Sequence, residues 1–240
     1  VRPHDLIGAV AATILSLSVI VFGLGFAAAA GAERESCIDD AMIVFDASGS
    51  MSGNEKLGIA TTITRIDEVR SALGRVLPAA ARHRRVGLIT YGPGPYNQCN
   101  VELNLEPALD AAKRILEAVE ALTPAGKTPL TSAVEKAADV LDFRRKPGVV
   151  VVLTDGEETC GGSPCALGEE LHDSAENLTV HVIAFRTSNF SWTGEQSILG
   201  IKCLAEANNG LYVTAETQED LVAAFQETLS CPMISQRSMP

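Results

Sequence analysis

The sequence is poor in basic residues: 19 Lys and Arg stand against 30 Asp and Glu, for a formal net charge of -11. This excludes a nucleic-acid or anionic-membrane partner, because nothing supplies the Lys/Arg density that displaces counterions from phosphates. A divalent cation is instead attracted, although excess acid also simply keeps an exported protein soluble. There is no C-x2-C pair, and the histidines (His4, His83, His172, His181) are scattered, which excludes the usual zinc spacings. Internal repeats, low-complexity tracts and linkers are also missing, so 240 residues argue for one compact core and against two.

What is present begins with an uncharged stretch at residues 6–30, LIGAVAATILSLSVIVFGLGFAAAA, which cannot belong to a soluble core. Two readings stay open. It is a signal peptide cut after the small residues at 27–32, or an anchor long enough to cross about 30 Å of hydrocarbon. No Cys directly follows the small-residue end, so a lipoprotein anchor is not supported. The expected organisation is a signal peptide or anchor at 1–32, one domain at 39–231 and a tail at 232–240. The location is then periplasmic or extracellular, with the membrane touched only through the N-terminal segment. Six cysteines (Cys37, Cys99, Cys160, Cys165, Cys203, Cys231) all follow that segment, an even number that makes disulfides the default in an oxidising compartment. Their pairing is open, and Cys160 and Cys165 are near enough in sequence to close a local loop.

From residue 41 onward, short apolar runs alternate with helix-period stretches, the pattern of βα units around a mainly parallel sheet. Residues 42–45, 86–91, 149–153 and 180–185 are nearly continuous apolar runs, as expected of strands covered on both faces. Residues 100–105 alternate polar and apolar after the turn-rich Gly92-Pro93-Gly94-Pro95, which predicts a short antiparallel edge strand; residues 211–213 are the other edge. Apolar residues at three and four spacing predict helices over 66–81, 107–122, 129–141, 164–175, 195–208 and 218–229. Pro107, Pro129 and Pro164 suit first helical turns, and Gly210 suits the left-handed residue that ends a helix. The fold class is α/β: a doubly wound, mainly parallel, Rossmann-like sheet with helices on both faces.

In such sheets ligands gather at the carboxyl ends of the strands. The first strand runs into Asp46-Ala47-Ser48-Gly49-Ser50, a carboxylate and two hydroxyls on alternate residues, and a second carboxylate, Asp155, leaves the 149–154 strand in the same way. Acids on neighbouring strand ends repel, and a cation with a taste for hard oxygen, Mg²⁺ or a similar ion (Mn²⁺ or Ca²⁺), relieves that repulsion. The pattern Asp46-x-Ser48-x-Ser50, with Thr128 in Gly126-Lys127-Thr128-Pro129-Leu130 and then Asp155, resembles the metal-ion-dependent adhesion site of von Willebrand factor A domains, most closely the bacterial extracytoplasmic members. The resemblance implies Ser48, Ser50 and Thr128 as direct ligands, the two aspartates acting directly or through water, and no enzymatic activity. It further implies a protein partner that offers an Asp or Glu to the ion. Thr128 has a second reading as a cap of the following helix, with Thr131 nearby in its place. Glu157 and Glu158 read as a solvated acidic loop.

Two other readings compete. Gly49-Ser50-Met51-Ser52-Gly53 fits G-x-S-x-G, which would make Ser52 the nucleophile of an α/β-type serine hydrolase with Asp155 and His172 or His181. Against it, residues 53–58 read as loop where the nucleophile elbow needs a helix. The other is a structural envelope protein with an idle metal site. Tyr96, Phe190 and Trp192 are expected at the rim as partner contacts.

Overall fold

A computed structural model of the chain describes residues 37, 39–53, 55–56, 59–60, 63–187 and 194–231. The apolar stretch at 6–30, the tail at 232–240 and the rim candidates Phe190 and Trp192 lie outside these residues.

The apolar runs form the centre of a six-stranded sheet. In chain order its strands are β1 (Asp40–Asp46), β4 (Val86–Tyr91), β5 (Val101–Ala108), β6 (Pro147–Thr154), β7 (Asn177–Phe185) and β8 (Tyr212–Ala215), while β2 (Glu55–Lys56) and β3 (Ile59–Ala60) make a separate hairpin. The spatial order is β5-β4-β1-β6-β7-β8. All neighbours are parallel except β4 and β5, which are antiparallel.

Continuous apolar runs are required because successive side chains enter different cores. Ala41, Ile43, Phe45, Val151 and Leu153 pack on one face against α1 (Arg65–His83), α2 (Ala112–Glu120) and α6 (Gln218–Leu229). Met42, Val44, Val150 and Val152 pack on the other against α3 (Leu130–Val140), α4 (Pro164–Ser174) and α5 (Gly194–Ala207). Each buried Val, Leu or Ile adds roughly 1.5–3 kcal/mol, so the apolar side chains on both faces hold the central strands between the helices; the buried Thr90 of β4, whose hydroxyl has no hydrogen-bond partner among the described residues, is a polar exception. Helix starts are written locally: Thr64 with Asp67 and Thr217 with Asp220 form reciprocal capping boxes, and Pro164 follows the N-cap Ser163. A buried ion pair, Arg186 to Glu68 at 2.5 Å, fastens the end of β7 to α1.

Several expectations are corrected. The helix anticipated from Pro107 starts only at Ala112, because β5 continues through Pro107 to Ala108; on an edge strand the missing proline N–H leaves no ladder partner unsatisfied. The left-handed residue after α5 is Asn209, with φ 54°, and not Gly210. Gly210 is needed for clearance, since a Cβ there would lie 1.8 Å from the Val180 carbonyl oxygen. The stretch after Ser52, read as loop, contains the β2–β3 hairpin. The local Cys160–Cys165 loop does not form: the disulfides are Cys37–Cys231, Cys99–Cys160 and Cys165–Cys203. Among the described residues no helix is long and apolar enough to cross a membrane.

Candidate functional site

Because β1 and β6 are parallel neighbours, their ends bring Asp46 and Asp155 together at one edge of the sheet. Asp46 closes β1. Its Oδ1 accepts the Ser48 N–H at 2.8 Å, and its Oδ2 accepts the Thr154 hydroxyl at 3.0 Å and the Asp155 N–H at 3.3 Å. The Ser50 hydroxyl donates to Asp155 Oδ1 at 2.5 Å, and the Ser48 and Ser50 hydroxyls lie 3.0 Å apart. Asp155 Oδ2 takes a guanidinium N–H of Arg65 at 2.8 Å. Four of the five residues singled out in the sequence thus belong to one hydrogen-bonded chain.

Thr128, the fifth, is buried and lines the same cleft of about 320 Å³ with Ser48, Ser50, Tyr96, Lys127 and Thr159. It does not cap the helix: the residue before α3 is Pro129, whose side chain makes no capping bond, and the first-turn N–H of Thr131 is taken by Glu158. The substitute, Thr131, packs its hydroxyl where a Cβ on Gly162 would collide with it, and is not among the residues lining the cleft.

Burial is what makes the site electrostatically tense. Asp46 and Asp155 are both fully buried. Desolvation, and then the charge of Asp155, push the Asp46 carboxyl up to about 6, against the hydrogen bonds from Ser48 that pull it down. Asp155 is raised as well, again chiefly by burial, with Ser50 and Arg65 opposing. Beneath them the buried Tyr91 phenol is held well above its usual range by burial and by Asp46.

The loops around this cluster are locked to each other. Gly49 N–H donates to the Gly126 carbonyl at 2.9 Å, Gly126 N–H to Gly92 at 2.8 Å and Lys127 N–H to Gln98 at 2.8 Å. Gly92 sits at φ 72°, where a Cβ would be 2.6 Å from the Lys127 carbonyl oxygen. The Cys99–Cys160 disulfide ties the β4–β5 loop to the loop leaving β6. Glu158 is a brace and not a solvated acid: its carboxylate accepts the N–H groups of Thr131 at 2.8 Å and Cys160 at 2.6 Å. The Thr159 hydroxyl accepts the Thr128 N–H at 2.8 Å.

The donor set is two carboxylates with hydroxyls, and among the described residues no three His, Cys, Asp or Glu converge. Such oxygen donors suit a hard divalent ion and not zinc or copper. As for a hydrolase, Ser52 ends a 3-10 turn and donates to the Gly49 carbonyl at 2.7 Å, and a hairpin follows it where an elbow helix would be needed. His181 pairs with Val151 in the middle of the sheet, away from its carboxyl edge, and its Nδ1 accepts the Leu211 N–H. Of the rim candidates, Tyr96 is 85% exposed beside the cleft.

An open, mainly parallel sheet whose carboxyl edge gathers two acids and three hydroxyls from separate loops defines a class of α/β binding domain. Residues 41–158 match the family model of the von Willebrand factor type A domain. The chain therefore carries a domain of the von Willebrand factor type A kind over those residues, in agreement with its fold. It is 25% identical over 228 residues to the uncharacterized protein YwmC of Bacillus subtilis (strain 168), covering 90% of this chain and 95% of that one. Similar solved folds include the vWF domain of the type V pili tip protein Mfa5 from Porphyromonas gingivalis, with TM-score 0.58, 14% identity and coverage of 81% and 94%. The PilB minor pilin from Streptococcus sanguinis is another, with TM-score 0.60, 15% identity and coverage of 84% and 64%.

Sequence reasoning missed Arg65, Thr154, the glycine lock at Gly92 and the Cys99–Cys160 clamp. Thr154 adjoins Asp155 and was accessible from the strand pattern. Arg65 had no local signal, since an arginine in a first helical turn reads as solvated.

Proposed function

We propose that this chain is an extracytoplasmic protein-binding module, in adhesion or as a scaffold, whose Asp46, Ser48, Ser50, Thr128 and Asp155 hold a divalent cation and, through it, an acidic residue of a partner. The observation that carries this reading is the joining of two buried carboxylates to the Ser48 and Ser50 hydroxyls beside an open cleft. When bound, a hard cation supplies a positive docking point for a carboxylate. The chain's own residues do the rest. Asp46 fixes the Ser48 backbone, Ser50 bridges to Asp155, and the Gly92, Gly126 and Cys99–Cys160 contacts hold the loops at the spacing the site needs. The three hydroxyls and two carboxylates leave one position of a six-coordinate ion open, which a partner's carboxylate can fill. Tyr96, exposed beside the cleft, reads the rest of the partner's surface.

The use outside the cytoplasm is supported by the pairing of all six cysteines in three disulfides and by the uncharged segment at 6–30, acting as signal peptide or anchor. That two proteins of similar fold are a pili tip protein and a minor pilin agrees with an adhesive role.

The test is calorimetric titration of the chelator-stripped protein with Mg²⁺ and Mn²⁺, beside Asp46→Ala, followed by capture from envelope extract with Mg²⁺ or chelator. Saturable binding lost in Asp46→Ala, with a captured protein that chelator releases, supports the reading. A wild type that takes up neither ion removes it.

A further inference from the structure

The acidic cluster contains its own cation. Among the described residues the only ion-pair partner of either aspartate is Arg65, whose guanidinium meets the fully buried Asp155 at 2.8 Å while remaining 18% exposed itself. Among the described residues Asp46 is bonded only to N–H and hydroxyl donors. The placement of Arg65 is unfavourable for the helix that bears it, because the first residue of α1 stands at the positive end of the helix dipole, where an acid is preferred. Nor does the helix need it for its start: Thr64 and Asp67 cap that end, and the Arg65 N–H is taken by the Gly53 carbonyl at 2.8 Å. The pair is also loosely made. One nitrogen reaches one oxygen, with no bidentate fork, and Arg65 Nε is buried without a hydrogen-bond partner.

We propose that Arg65 is a built-in counter-cation that balances the site when no metal is bound and thereby lowers its affinity for divalent ions, yielding its hold on Asp155 when one enters. This rests on the reading of the site as a divalent-ion site. Two buried carboxylates without Arg65 present one more uncompensated charge, so an incoming cation is attracted more strongly and is no longer repelled by the guanidinium. Arg65 then sets the metal concentration at which the module becomes able to dock a partner.

The measurement is calorimetric titration of chelator-stripped wild type, Arg65→Gln, Arg65→Met and Arg65→Lys with Mn²⁺, with thermal unfolding of each, with and without the ion. The neutral variants are expected to bind Mn²⁺ about tenfold tighter than wild type. They also melt lower when metal-free and gain more on adding Mn²⁺, while Arg65→Lys stays near wild type. Binding by the neutral variants alone overturns it, because a guanidinium that shuts the ion out altogether replaces the metal and sets no threshold for it. If wild type binds and the neutral variants bind equally or more weakly, the proposal is overturned and the metal reading survives. If no protein binds, both fall. Failure of both neutral variants to fold even with Mn²⁺ overturns it too, by making Arg65 a structural anchor.

Discussion

Replacing Asp46 by Asn should flatten the pH dependence of the metal-free protein's stability. Asp46 titrates at 3.8 in an unfolded chain and at about 6 in the folded one. A carboxyl raised on folding favours the folded state while it is protonated. Its contribution is therefore fully present below about pH 3.8 and is lost as pH rises through about 6. A rise of about 2 units corresponds to about 3 kcal/mol of stability surrendered between acid and neutral pH, and Asp155, raised in the same direction, adds to the loss. Asp46→Asn lowers the baseline, because Asp46 accepts from Ser48, Thr154 and Asp155 and an amide oxygen cannot replace both carboxylate oxygens. The slope is therefore the quantity to read. Urea unfolding in chelator at steps from pH 4 to pH 7.5 should show wild type losing roughly 3 kcal/mol relative to Asp46→Asn across that range. Saturating Mg²⁺ should restore about 2.7 kcal/mol at neutral pH when present at a hundredfold excess over its Kd. Parallel pH profiles for the two proteins in chelator would refute the argument, for they would mean that Asp46 is not held protonated by its burial.

Cys37→Ser with Cys231→Ser opens a loop of 194 residues and should cost about 2–5 kcal/mol, read as a fall of about 10 °C in Tm. Thr128→Ala should weaken Mn²⁺ binding about tenfold in calorimetry while leaving Tm in chelator nearly unchanged, because its hydroxyl has no hydrogen-bond partner among the described residues. Gly92→Ala, forced to φ 72° against the Lys127 carbonyl, should cost at least about 1 kcal/mol and also weaken ion binding. Glu68→Ala strands the buried Arg186 guanidinium and should cost roughly 3–5 kcal/mol in urea unfolding.

The parallel strands were legible because a strand covered on both faces has to be apolar at every position, and residues 42–45 and 149–153 satisfy that without ambiguity. Asp46, Ser48, Ser50 and Asp155 were legible for a related reason: they follow those strands directly, so the strand ends carry them to one place. Failure came where three-dimensional contact outweighs local preference. Pro107 is a helix-starting residue by local chemistry, but edge pairing with β4 holds it extended. Asn209 takes the left-handed turn that Gly210 was expected to take, because Gly210 is constrained by the nearness of Val180. Cys160 lies five positions from Cys165, yet it pairs with Cys99 because the β6 and β4 loops meet over the cleft. Arg65 was invisible for the same reason, since its partner is distant in the chain.

The bond between Cys37 and Cys231 has a mechanical meaning. Tension entering the chain before residue 37 and leaving after residue 231 runs through a single covalent bridge, so the sheet between them carries no load. A pull applied instead at the cleft reaches that bridge only by crossing the folded domain, and the strands and their ladders then bear the force.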